Sequence, residues 1–158
     1  MRSRRLVPVA VAAAGFAAVV IGIHQGLVHV APGYEGTVTT GWDGGLNHEE
    51  RLLARLALIG VVGAAAAHRW RRLAVVPVAA GGVVLFYAAR AVLHYALDPG
   101  LYVTVSTYGG GSTRFVLGAE PFLLAAGGLL LVAAGVEGWR ARPRRPDDDQ
   151  SAVAPSAR

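Results

Sequence analysis

The sequence has no cysteine and no lysine, and charged residues make up only 16% of its 158 positions. The absence of cysteine excludes disulfide bonds, thiolate metal sites and cysteine nucleophiles. Apolar residues account for 54% of the chain, and they form long blocks instead of alternating with polar residues. Blocks of this kind are typical of membrane-spanning helices and not of the core of a soluble domain.

The motifs that identify common enzyme classes are also missing. The chain has no H-E-x-x-H, no G-x-S-x-G and no Walker phosphate-binding loop. Its glycine-rich stretch YGGGST has no positioned base, and the topology derived below places it outside the cytoplasm, away from nucleotides. The sequence therefore favours a protein without enzymatic activity, and an intramembrane enzyme is the alternative.

Four apolar blocks predict four membrane-spanning helices. A spanning helix needs about 20 residues, each adding about 1.5 Å. The second block is short, but Asn47 can act as an N-cap with Glu50 three residues later, so its helix can begin at His48. The predicted fold is an all-α membrane protein with one four-transmembrane-helix bundle over residues 1–140. Its predicted spans cover residues 6–30, 48–68, 73–97 and 115–137.

The arginines are distributed unequally between the two sides of these spans. Eleven lie before the first span, between the second and third, or after the fourth. The opposite side has only Arg51 and Arg114, together with five acidic residues: Glu35, Asp43, Glu49, Glu50 and Asp98. The positive-inside rule then places both termini in the cytoplasm, as a multi-pass protein of the cell membrane. The basic clusters would meet anionic lipid, and the net charge of +5 does not indicate nucleic-acid binding.

The two ends of the chain require separate interpretations. Span one follows a basic start, as a signal peptide does, but its apolar run exceeds the usual length of about 7–15 residues and no clear A-x-A site closes it. We therefore expect span one to be retained, and cleavage near Ala31 is the alternative. Residues 141–158 carry proline, charge and small polar side chains with nothing to bury, so we expect a disordered cytoplasmic tail.

The two outer loops are similar to each other at a spacing of 67 residues. PGYEGTVTTGWDGG begins at Pro32 and PGLYVTVSTYGGGS at Pro99, and they share Pro, Gly, Thr, Val, Thr and a later Gly. We interpret the chain as two tandem helical hairpins of the same orientation, a parallel repeat, and chance recurrence of loop residues is the alternative. The β-branched and aromatic residues of the loops predict a small extracytoplasmic β cap.

Five polar residues are predicted to form one intramembrane layer in the outer half of the bundle. Helical positions advance by about 100° per residue, so Arg90 and His94 share one stripe of span three, and Gln25 and His29 share one stripe of span one. An arginine at a helix centre costs roughly 2.5–3.5 kcal/mol, so it requires a partner. Glu120 is the acidic residue at matching depth, and we predict an Arg90–Glu120 pair. The layer comprises Gln25, His29, Arg90, His94 and Glu120.

Two further features concern neighbouring helices. Gly22 and Gly26 form a G-x-x-x-G pair on the stripe of span one that carries Gln25 and His29, and such a pair lets two helices approach closely. Arg55 of span two either joins the polar layer or extends its long side chain to the interface.

The sequence favours a structural or accessory role, as a subunit of a larger membrane complex. In this role the polar layer would fix the register of the helices. The expected partners are the lipid bilayer and a membrane protein or further copies of this chain. One alternative is a small transporter or channel subunit that uses the layer. The other is a b-type haem held by His29 and His94, which are then the metal ligands; otherwise no cofactor is expected.

The predicted topology can be tested with reporter fusions. A fusion after Arg145 should report the cytoplasm and one at Gly44 the outside, because the arginine bias places the two positions on opposite sides of the membrane. A cytoplasmic signal at Gly44 would reverse the orientation, and a mature N-terminus near Ala31 would leave three spans.

Overall fold

The chain is predominantly helical in the computed structural model, which describes residues 3–25, 27–30, 37–39, 48–97, 104–106 and 115–140. The helices are α1 (Ser3–Ile23), α2 (His48–Ala66), α3 (Val75–Leu97) and α4 (Glu120–Arg140), and a 3-10 helix (Arg71–Ala74) leads into α3. The strands are β1 (Val28–Val30), β2 (Thr37–Thr39), β3 (Thr104–Ser106) and β4 (Phe115–Leu117).

Three helical segments are long and apolar enough to cross a membrane: Leu6–Ile23, Arg71–Leu97 and Glu120–Arg140. α2 is not among them, because four of its first eight residues are charged. Its second half, from Leu56 to Ala66, is apolar throughout. The predicted tail, residues 141–158, lies outside the described residues.

α1 is shorter than the apolar block that predicted it. It ends at Ile23 and not at Val30, and residues 28–30 form β1 instead. The turn after α1 is closed by the backbone N–H of Gln25, which donates to the carbonyl of Gly22 at 2.9 Å. The β-branched valines at both ends of β1 favour extended backbone, so the apolar run changes from helix to strand without losing its apolar character.

α4 begins later than its apolar block, at Glu120 and not at Phe115. Pro121 explains this start. Proline fits in the first turn of a helix, where its missing N–H is not needed, but in the interior it would remove a hydrogen bond to the carbonyl four residues earlier. The preceding residues 115–117 are β-branched or aromatic at two of three positions and form β4.

The strands form two separate antiparallel pairs. β1 pairs with β4, with His29 opposite Val116, and the N–H of Gly118 extends this pair by donating to the carbonyl of Leu27 at 2.7 Å. β2 pairs with β3, with Val38 opposite Val105. Both pairs join segments that are distant in sequence. Each strand lies either after the last residue of α1 or α3 or before the first residue of α2 or α4, so all four strands are at one end of the helices. We call this end of the molecule the strand end; α1 and α3 finish there, and α2 and α4 begin there.

The four helices pack around one apolar core, with α4 making the most extensive contacts. α4 packs along α1 on one side and along α3 on the other. α2 packs against the same two helices over a smaller area, and it touches α4 only slightly. Large buried side chains of the core are Val19, Ile23, Val84, Leu124 and Leu131. Among the described residues no polar or charged side chain is buried.

Adjacent glycines let α4 approach both neighbours at backbone distance. A Cβ atom placed on Gly127 would lie 2.7 Å from the carbonyl oxygen of Gly15 in α1. A Cβ atom on Gly128 would lie 3.0 Å from the carbonyl oxygen of Gly81 in α3. Consecutive residues point about 100° apart, so one Gly-Gly step serves two interfaces at the same level. In lipid, helices associate through such close van der Waals packing, since burial of apolar surface gives no advantage there.

Gly81 and Gly82 provide a matched test of this packing. A Cβ atom on Gly81 would lie 2.5 Å from the carbonyl oxygen of Gly128, whereas nothing lies within 4 Å of one on Gly82. Gly81→Ala should therefore destabilise the protein by about 1–3 kcal/mol, as overpacked sites do. Gly82→Ala should be neutral or stabilise it by up to about 1 kcal/mol, because alanine is the better helix former. Thermal unfolding in detergent measures both, and equal effects would contradict the close approach of α3 and α4.

Candidate functional site

Arg90 of α3 is the charged residue for which the sequence predicted a partner in Glu120. In the structure it pairs with Glu49 instead. Its Nη1 donates to Oε1 of Glu49 at 3.4 Å. The guanidinium also lies over the ring of Tyr87, 5.8 Å from the ring centre. The side chains of the pair are 43% and 55% exposed, so the interaction is at the surface of the helix assembly and not in its core.

The direction of Arg90 on α3 explains this partner. Gly63 of α2 packs against Val76, while Gly128 of α4 packs against Gly81. At about 100° per residue, Arg90 falls within about 40° of Val76 and about 180° from Gly81. Arg90 therefore lies on the side of α3 that faces α2, where Glu49 in the first turn of α2 is within reach of its guanidinium group.

Glu120 occupies a different part of the strand end. It is the first residue of α4, where a negative charge is favoured by the helix dipole. Its carbonyl oxygen would lie 3.4 Å from a Cβ atom on Gly22 of α1, so the start of α4 lies against the end of α1. Its side chain is partly buried. Glu120 thus lies where α4 meets α1, whereas Arg90 and Glu49 lie where α3 meets α2.

The residues predicted on span one are not on one helical stripe. Gln25 lies in the turn after α1 and is exposed, and His29 lies in β1. The physical reason is the early end of α1, because a helical period cannot place residues that follow the helix. Gly22 is buried in α1 against α4, with Leu123 Cβ 3.0 Å from a Cβ placed on it. Gly26 and Asp98 lie outside the described residues.

His94 is partly buried on α3, one turn beyond Arg90 and on the same side. The haem hypothesis assumed that His94 and His29 lie on facing helices, and His29 is instead in a strand. Among the described residues no three histidine, aspartate or glutamate side chains converge as metal ligands.

Two interactions at the strand end and the opposite end were not anticipated from the sequence. Glu49 was counted only among the acidic residues of the outer side, although its predicted place in the first turn of span two could have indicated a helix-terminal partner for Arg90. At the opposite end, Arg71 Nε donates to the carbonyl of Trp139 at 3.1 Å, and its guanidinium lies 5.5 Å from the centre of that ring. This arginine satisfies a carbonyl at the end of α4, where a cation is also favoured by the helix dipole.

The described geometry is suited to fixing helix positions more than to chemistry. Arg90 links the end region of α3 to the start of α2, and Arg71 links the start of α3 to the end of α4. Each link joins two helices at a terminus, and neither introduces a charge into the apolar core.

Double-mutant cycles distinguish the two carboxylates as partners of Arg90. Arg90→Gln and Glu49→Gln should couple by roughly 0.2–1 kcal/mol, the range of exposed ion pairs. Arg90→Gln and Glu120→Gln should be additive within about 0.3–0.5 kcal/mol, as expected for residues that share no contact. Unfolding in detergent gives the free energies, and a stronger coupling to Glu120 than to Glu49 would restore the pairing predicted from the sequence.

No protein family model matches this sequence, and neither a curated protein nor a solved structure shows significant similarity to it.

Proposed function

We propose that the chain is a small polytopic integral membrane protein with a structural or accessory role, as a subunit of a larger membrane complex. The observation that carries this proposal is the apolar interior. Among the described residues no polar or charged side chain is buried, and the helices meet through glycine and alanine at backbone distance. A proton or solute path through one copy would need ionisable or polar groups along the interior, so this core supports a scaffold more than a conduit.

The proposal includes α2 as a fourth membrane span. Its 19 residues give a length of about 28 Å at about 1.5 Å per residue, close to the hydrocarbon thickness of about 30 Å. Its charged residues lie among the first eight, where they can reach the headgroup region. From the arginine distribution we infer that the protein lies in the cell membrane, with both termini in the cytoplasm and the strand end on the extracytoplasmic side.

The β2–β3 pairing supports an internal repeat. Thr37, Val38 and Thr39 correspond to Thr104, Val105 and Ser106 at the spacing of 67 residues. The observed register sets Val38 opposite Val105 and exchanges the flanking residues, which is the arrangement that a local two-fold axis produces. Two tandem hairpins related by an axis along the membrane normal would bring their equivalent loops together in this way. The two strand pairs would then form the extracytoplasmic cap.

The alternative of a transporter or channel subunit draws support from one observation. Four ionisable residues that are exposed or only partly buried lie at the strand end: Glu49, Glu50, Arg90 and Glu120. In an oligomer such groups could line an entrance between copies. A protein that binds b-type haem through His29 and His94 is a further alternative. Under each of these functions the proposed partners are the lipid bilayer and other membrane proteins.

Flux measurements separate the scaffold from the transporter. Purified protein in liposomes that contain a pH-sensitive dye should pass protons no faster than protein-free liposomes, because the interior formed by the described residues offers no polar path. Flux that is lost in Arg90→Gln and kept in Arg69→Gln, an arginine change at the opposite end, would establish the transporter instead. A Soret band lost in both His29→Ala and His94→Ala would establish the haem protein.

The accessory role has its own test in native membranes. Extraction of the tagged full chain in polymer nanodiscs should yield a second membrane protein in fixed stoichiometry, and deletion of the chain should reduce the assembled amount of that complex. A chain that is isolated alone, and whose deletion alters no membrane complex, would contradict the role.

A further inference from the structure

The outward face of α2 carries two arginines above an apolar stripe. Arg51 and Arg55 are exposed and one turn apart, and at about 100° per residue they lie within about 40° of each other. Leu58 and Val62 continue the same face within about 60° of Arg55, and both are exposed. The core side of α2, with its buried residue Ala57, points the opposite way.

These arginines differ from Arg90 and Arg71, which both have partners in the structure. Arg90 has Glu49, and Arg71 has the carbonyl of Trp139. Neither Arg51 nor Arg55 forms a hydrogen bond or an ion pair with the described residues. Like charges four residues apart on a helix repel each other, so the pair is favoured by an anion that both can contact.

The order of groups along this face matches that of an amphiphile. Arg51 and Arg55 lie about 5 Å and about 10 Å from the start of α2, within reach of the phosphate level for side chains of this length. Leu58 and Val62 follow at the depth of acyl chains. The planar guanidinium fork binds phosphate oxygens in pairs, so a phosphodiester satisfies both arginines at once.

We infer that the face formed by Arg51, Arg55, Leu58 and Val62 binds one anionic phospholipid, with its phosphate between the two guanidinium groups and one acyl chain along the leucine and valine. This inference rests on the proposed membrane span of α2. It gives the accessory protein a defined lipid contact at its strand end, on the side where the arginine bias leaves few basic residues.

The absence of cysteine from the chain allows a local measurement on the full-length protein. Ile59→Cys carries a fluorescent label at an exposed position beside the four site residues, roughly 6 Å below Arg55. Phosphatidylglycerol or phosphatidylcholine with brominated acyl chains is then titrated into protein in nanodiscs, and quenching of the label reports the lipid beside it. Phosphatidylglycerol should be preferred by between about fivefold and thirtyfold, since each arginine near the membrane surface contributes about fivefold.

The matched variants remove two charges near the start of α2 or two charges in the segment that follows it. Arg51→Gln with Arg55→Gln should abolish the preference, and Arg69→Gln with Arg72→Gln should leave it unchanged. Inorganic phosphate should not displace the lipid, because the apolar stripe contributes to binding; displacement by it would reduce the site to a general anion site and overturn the inference.

The remaining outcomes separate this inference from the function on which it rests. Equal quenching by the two lipids in the labelled protein with both arginines intact would overturn the phospholipid site and leave the span of α2 intact. No quenching by either lipid in purified protein would overturn the span itself. A label that is quenched in purified protein but shielded in native-membrane nanodiscs would assign the face to a partner helix, and would also overturn the lipid site.

Discussion

The approach of α4 to α1 and α3 at backbone distance is the constraint on which the remaining structure depends. Gly127 meets Gly15, and Gly128 meets Gly81, so one pair of adjacent residues sets the level of two interfaces. No side chain larger than hydrogen fits there, and in lipid the resulting van der Waals contacts replace the hydrophobic driving force that soluble bundles use. α2 completes the assembly from the other side of α1 and α3, with a smaller contact.

The position of the charges follows from this packing. Because backbone and apolar side chains fill the interior of the described helices, their ionisable groups lie at the helix ends or on the outward faces. Arg90 meets Glu49 at the strand end, and Arg71 meets the last turn of α4 at the other end. Exposed pairs of this kind contribute little stability singly, but each joins two helices at a defined level and so favours one register over its neighbours.

The two strand pairs provide backbone hydrogen-bond partners at the strand end. The helices there are joined by segments rich in β-branched residues, whose backbone groups need partners where a helix no longer supplies them. β1 and β4 connect the end of α1 to the start of α4, one of the two helix pairs that glycines hold at backbone distance. β2 and β3 connect the two loops that are similar in sequence. The second pair sets Val38 opposite Val105, which lies 67 residues later in the chain. The first pair does not follow this spacing, because the residues 67 positions after β1 lie in α3.

The sequence by itself determined the features that depend on local composition. It indicated the membrane class, the location of four helices and the start of α2 at His48, because apolar length and a capping pattern act within a few residues. Tertiary structure alone decided where α1 ends, where α4 begins and which carboxylate Arg90 meets. Residues 28–30 and 115–117 are apolar enough for either helix or strand, and the choice depends on a pairing partner distant in sequence. Likewise, helical periodicity was enough to place Arg90 and His94 on one stripe of α3. Whether that stripe faces α2 or α4 depends on how Gly81 orients α3 against α4, and no local sequence pattern encodes this orientation.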